Sequence, residues 1–166
     1  MAKYISILAN GGNKVSPTLI KSVVKSNGEK VSKEEIRQYT NSKLGITEDK
    51  DEDINISKGT LDAIYEGMRS VTGDAGGTAY NIFKNFDIEV AGKTGSAEAG
   101  KNTNAWFVGF APYDKPEIAV VVIVENGGHG NYTAEVVLKI MQEYFKLNDE
   151  RLAENMRQDS MEVTLN

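Results

Sequence analysis

The chain has 166 residues, 40% of them hydrophobic and 26% charged, which suits a single globular domain with a real core. A net charge of −5 and a pI near 5.0 argue against nucleic acid as a partner, because a phosphate backbone needs clustered Lys and Arg. With no cysteines, disulfides and thiolate metal sites are excluded, while the redox compartment stays open.

Tyr4, Ile5, Leu8 and Ala9 share one face by helical spacing, and Gly11-Gly12 supplies a stop, so the chain opens on the end of a helix. The stretch is too short, and lacks the basic flank, for a signal peptide, and no apolar run reaches the roughly 18 residues of a membrane span. Val15 to Val24, with Pro17 near its start, reads as an extended segment leading into a Ser26-Asn27-Gly28-Glu29 turn. Lys30 to Asn55 is polar and charged, with one weak helical stretch around Glu34 to Tyr39, and residues 30–56 are expected to form a mobile insertion. Ser57 can cap a helix whose Leu61, Ile64, Tyr65, Met68 and Val71 recur at helical spacing, Gly73 can end it, and a Gly76-Gly77-Thr78-Ala79 turn follows.

Strands then take over: Phe86 to Ala97, Ala105 to Ala111 and Ile118 to Val124, separated by Gly100-Lys101-Asn102 and Tyr113-Asp114-Lys115-Pro116. A three-stranded antiparallel meander is the economical topology, so the class is α+β with helices packed on the sheet. The third strand is almost continuously β-branched, which suits covered faces and a neighbour on each side. A last helix places Val137, Ile140, Met141, Tyr144 and Phe145 on one stripe, suited to lying on the sheet, and residues 146–166 read as a polar tail.

Lys93-Thr94-Gly95-Ser96 falls on the first of these strands. K-T-G, beside S-x-x-K and S-D-N, marks serine enzymes that transfer acyl groups. The tripeptide alone would arise by chance in about one ordering in ten, so its surroundings carry the inference. They are Tyr4 to Gly12 (YISILANGG) and Val15 to Ile20 upstream, then Asn104 to Pro112 (NAWFVGFAP), Glu117 to Glu125 (EIAVVVIVE), Asn126-Gly127-Gly128-His129-Gly130, and the helix-patterned run from Tyr132 to Phe145. Taken in this order, residues 1–145 closely resemble the C-terminal part of the transpeptidase domain of class B penicillin-binding proteins, the D,D-transpeptidases that cross-link peptidoglycan. The resemblance implies a partial penicillin-binding/β-lactamase-like transpeptidase fold. In that family the nucleophile motif and the S-x-N motif both precede the stretch where this chain begins, so the chain is expected to be a fragment, inactive alone, whose missing N-terminal half completes the domain.

The chemistry suits a strand. An edge strand offers unpaired backbone donors and acceptors alongside which an acyl-peptide can lie as an extra strand, and Gly95 leaves room for that approach. Alternation puts Lys93 and Gly95 on one side and Thr94 and Ser96 on the other, so cation and hydroxyls can bracket the terminal carboxylate of a D-Ala-D-Ala stem peptide or of a β-lactam. By resemblance, Lys93 also supports proton traffic at the serine, and the Ser96 backbone N–H is one oxyanion donor. No cofactor is implied. The parent is expected to be anchored in the bacterial membrane with its catalytic domain outside the cytoplasm, and this fragment to be soluble. Loss of the covering strands predicts an exposed apolar edge at Ile118 to Val124 and a possible homodimer through it. The alternative is a non-catalytic peptide-recognition or scaffolding module of the same ancestry.

Other motifs read as incidental. Ser22-Val23-Val24-Lys25 fits S-x-x-K but follows a Pro-initiated extended run rather than starting a helix. Tyr39-Thr40-Asn41 imitates Y-x-N in a polar loop. Gly92-Lys93-Thr94 lacks the first glycine of a P-loop, and Asp49, Asp51 and Asp53 lack the glycine and closing Glu of a calcium loop. Gly73, Gly76 and Gly77 read as a helix stop and turn before an anion nest, His129 as a loop residue, and Trp106, Phe107 and Phe110 as core.

Overall fold

Strands β1 (Ala91–Ala99), β2 (Asn102–Ala111) and β3 (Ile118–Val124) form the predicted antiparallel meander, in the order β1-β2-β3. The computed structural model describes residues 1–14, 17–46 and 54–146. Because side chains alternate along β2, Phe107 and Ala111 point to one face, where they join Ala79, Phe83, Val120, Ala134, Val137 and Met141. Val108 and Phe110 point to the other, where they meet Ile5, Leu8, Met68 and Ala91. Helix α4 (Tyr80–Phe83) and a helix α5 over residues 131–146 supply the first layer, and α1 (Ala2–Ala9) and α3 (Lys58–Gly73) the second.

Local chemistry explains the elements. Ser57 sits at φ −60, ψ 145 and accepts from the Thr60 N–H at 3.2 Å, which starts α3 where its apolar stripe starts. α1 stops because Gly11 and Gly12 take φ +69 and +93, and their N–H groups bond the carbonyls of Leu8 and Ile7. The turn at 26–29 forms with Gly28 at φ +85 and lets Val24 bridge to Lys30. The weak helical stretch of the polar region is a helix longer than predicted, α2 (Lys33–Leu44), capped by Ser32 and closed by Gly45 at φ +63. None of its residues is buried. Val15, the acidic run from Asp49 to Asp53, and the tail from 147 onward lie outside the described residues.

Three boundaries and faces differ from the sequence reading. β1 starts at Ala91 rather than Phe86, since its partner β2 ends at Ala111 and the carbonyls of Glu89 and Val90 accept from the Tyr113 N–H and the Thr72 hydroxyl instead of a ladder. In α1, Ile5, Ile7 and Leu8 are buried while Tyr4 is 56% exposed, so the buried stripe is shifted off the predicted face. In α5, Ala134, Val137 and Met141 form the buried stripe, with Leu138 and Phe145 packed beside it, and Ile140 is 41% exposed on its flank. β3, as the sequence led us to expect, has a neighbour on one side only among the described residues, and Ile123 near its end is 45% exposed.

Candidate active site

Lys93-Thr94-Gly95-Ser96 lies inside β1, paired in order with Val108, Phe107, Trp106 and Ala105. Among the described residues β1 has no partner on its other side, so its outward backbone groups are open to a ligand strand. Gly92 leads into the motif, and a Cβ there would stand 2.3 Å from the Phe107 ring, so a glycine is what lets the strand cross over that buried aromatic. Beneath it Phe107 stacks on Phe83, with ring centroids 5.7 Å apart. The motif therefore rides on a rigid part of the core.

The predicted alternation holds. Lys93 and Gly95 share the face of Val108 and Trp106, while Thr94 and Ser96 share that of Phe107 and Ala105. Lys93 is exposed, and its Nζ donates to the Thr94 carbonyl at 2.7 Å. The Thr94 hydroxyl lies 2.8 Å from that of Thr78, in the turn after α3. Gly95 is approached closely from both faces. A Cβ on it would be 3.3 Å from the Trp106 Cβ, and a Cβ on Gly130 would be 2.9 Å from the Gly95 carbonyl oxygen and 2.8 Å from that of Trp106. The loop after β3 is thus pressed onto the motif from the Thr94 side. It is held there by the Gly128 N–H bonding Thr103 O at 2.9 Å and the Asn126 N–H bonding Asn104 Oδ1 at 3.1 Å.

Residues 1–142 match the family model of the penicillin binding protein transpeptidase domain. The chain belongs to this transpeptidase family. It is 33% identical over 150 residues to penicillin-binding protein H of Bacillus subtilis, a match that covers 84% of this chain and 20% of that protein. It is 30% identical over 162 residues to the peptidoglycan D,D-transpeptidase MrdA of Haemophilus influenzae, covering 87% of this chain and 23% of that protein. The chain thus spans about a fifth of the length of these relatives. Among solved structures, Pseudomonas aeruginosa PBP2 in complex with WCK 5153 aligns with a TM-score of 0.69 at 32% identity, over 86% of this chain and 29% of that one. The D,D-transpeptidase domain of a peptidoglycan glycosyltransferase from Eggerthella lenta aligns at 0.66 and 30% identity, over 88% and 32%.

Within this transpeptidase segment, K-T-G-S lies on a strand that enters from the core at Ala91 and Gly92, and the other motifs lie elsewhere. Ser22 and Lys25 lie exposed on the small hairpin, away from any helix start, and Lys25 pairs with Glu29 at 3.2 Å. Tyr39, Thr40 and Asn41 lie on α2, a helix rather than a loop. None of Gly73, Gly76 and Gly77 has a positive φ, so no nest of the alternating left-handed kind forms. Asp49, Asp51 and Asp53 are outside the described residues, among which no three His, Cys, Asp or Glu gather as metal ligands. An open cleft of about 300 Å³ between α1 and the start of β3 is lined by Ser6, Asn10, Glu117 and Ile118 among others, and shares no residue with the motif.

Phe107 and Phe110 are core, as their type suggests, but Trp106 is only half-buried and stands beside Gly95 on the Lys93 face. Its register partner is Gly95, a signal that alternation along paired strands carries once the pairing is known. Thr78 and Gly130 leave no such trace in sequence. His129 is exposed, in the loop that carries Gly130.

Proposed function

We propose that this chain is the C-terminal segment of the catalytic domain of a penicillin-binding D,D-transpeptidase, and that it supplies the substrate-docking strand of a serine acyl-transfer site. The observation that carries this reading is the position of K-T-G-S on a strand edge that is unpaired among the described residues, with Lys93 exposed and Gly95 clear of any side chain of its own. A stem peptide ending in D-Ala-D-Ala lies along β1, its carboxylate bracketed by the Lys93 ammonium and the Thr94 and Ser96 hydroxyls. A serine supplied by the rest of the domain attacks the penultimate carbonyl, the terminal D-Ala leaves with the proton taken from that serine, and an acceptor amine later displaces the serine. The Ser96 N–H stabilises the oxyanion together with the nucleophile's own N–H, a contribution worth about 10²- to 10³-fold in rate.

The serine and the S-x-N motif lie outside these 166 residues in this reading, and the half that carries them covers the face on which Lys93, Trp106 and Ile123 stand open. The β3 edge takes strands of that half or, without it, a second copy of the chain. No helix among the described residues is long and apolar enough to cross a membrane. Incubation with benzylpenicillin followed by intact mass measurement tests the reading. The expected result is no adduct on the chain alone and a stoichiometric adduct on the other half once the two are combined. An adduct at Ser22 would overturn it.

A further inference from the structure

Thr78 is not part of K-T-G-S, yet its hydroxyl lies 2.8 Å from that of Thr94, sixteen residues on. We propose that Thr78 is a positioning residue for Thr94: its hydroxyl donates to Thr94 Oγ1, which leaves the Thr94 proton to be donated to a ligand carboxylate. The inference rests on the reading of K-T-G-S as a carboxylate-docking strand and adds a residue to it.

The direction of the hydroxyl pair follows from chemistry. Either oxygen can be the donor in the free protein. A carboxylate only accepts, and a hydroxyl has one proton to give. Once Thr94 gives its proton to the anion, it can meet Thr78 only as an acceptor, so the chain runs Thr78 to Thr94 to carboxylate. Hydrogen bonds in such a chain polarise one another. Without Thr78, the hydrogen bond that selects among the staggered χ1 rotamers of Thr94 is lost.

The turn that presents Thr78 is built to hold it. On one side, a Cβ on Gly77 would stand 2.3 Å from the Ser70 carbonyl oxygen and 2.4 Å from that of Val71, an approach only glycine permits. On the other, Ala79 is fully buried and its N–H bonds the Val71 carbonyl at 2.9 Å. The Gly77 N–H reaches Asp74 O at 2.8 Å and the Tyr80 N–H reaches Gly77 O at 3.1 Å, which ties the turn to the end of α3 and the start of α4. Thr78 therefore stands between two closely packed neighbours, and α3 itself is tied to the entry of β1 by the Thr72 hydroxyl donating to the Val90 carbonyl.

The test compares Thr78→Val, which keeps shape and loses the hydroxyl, with Thr78→Ser, which keeps the hydroxyl. Three-bond couplings across Thr94 χ1, measured by NMR on the chain, are expected to report one rotamer in the parent sequence and in Thr78→Ser, and averaging in Thr78→Val at an unchanged thermal midpoint. In the chain combined with the other half of the domain, Thr78→Val is expected to slow acylation by benzylpenicillin roughly three- to tenfold, with rescue by Thr78→Ser. A single Thr94 rotamer retained in Thr78→Val overturns the proposal, as do equal acylation rates for Thr78→Val and the parent. If the unmutated pair does not acylate at all, the function proposed above fails instead, and the coupling measurement still decides the hydroxyl pair.

Discussion

Helices α2 and α3 start alike: Ser32 accepts from the Glu35 N–H at 3.1 Å, and Ser57 from the Thr60 N–H at 3.2 Å. They are then placed in opposite ways. α2 buries nothing, whereas α3 buries Met68 and Thr72 and packs Leu61, Ile64 and Tyr65 against the sheet face of Phe110. A cap satisfies donors that any helix end exposes, so it can start a helix anywhere. Docking needs a continuous apolar stripe, and the sequence from Lys33 to Leu44 has only Ile36, Tyr39 and Leu44 to offer. What positions the K-T-G-S strand is therefore α3, with its turn at Thr78, while α2 could be altered without moving the site.

The sharpest way to break this contrast is Met68→Ala, which empties a buried position of α3 and is expected to cost about 2–5 kcal/mol, read as a lower urea midpoint. An unchanged midpoint would mean that α3 is no better docked than α2. Next comes Tyr65, whose hydroxyl donates to the Leu8 carbonyl and so ties α3 to α1. Tyr65→Phe is expected to cost about 0.5–1.5 kcal/mol at neutral pH.

Tyr65 also makes the contrast pH-dependent. Burial, with a smaller contribution from Tyr113, raises its phenol above the ordinary 10.0, against an opposing backbone hydrogen bond at Gly11. A raised pKa in the folded state means that the folded chain holds the proton more tightly than the unfolded one. The contribution is complete below pH 10.0 and is lost as the pH climbs through the folded value. Thermal midpoints should therefore fall above that pH in the parent sequence and fall less in Tyr65→Phe. Equal slopes would remove Tyr65 as the cause.

Smaller still, Ser57→Ala is expected to cost about 1 kcal/mol of global stability, whereas Ser32→Ala should leave the urea midpoint in place and raise only the amide exchange of α2. Equal midpoint shifts for the two caps would show that α2 unfolds with the core. Smallest, Leu44→Ala on α2, at a side chain 67% exposed, should change stability by less than about 0.5 kcal/mol.

Much of the architecture was readable without coordinates because its signals are local. Ser57 before a helical stripe, Gly11-Gly12 after one, and three β-branched or aromatic runs split by turn residues each report on a few neighbouring residues. The alternation of Lys93, Thr94, Gly95 and Ser96 is likewise a property of any strand. The errors fall where a boundary depends on something distant. β1 could not be started correctly without knowing that its pairing with β2 begins at Ala91 opposite Phe110, and Ile140 could not be placed on the flank of α5 without the sheet to define its buried side.

The α+β meander, the strand on which K-T-G-S lies, and which side chains of the motif share a face are all legible along the chain, since they follow from periodicity and backbone stereochemistry within a few residues. That Thr78 meets Thr94, that Gly130 closes on Gly95, and that Trp106 leaves the core to stand beside the motif emerges with the folded arrangement alone. Each of these contacts joins segments brought together by register and packing, and side chains that touch only because the core between them is full leave no periodic mark on the chain.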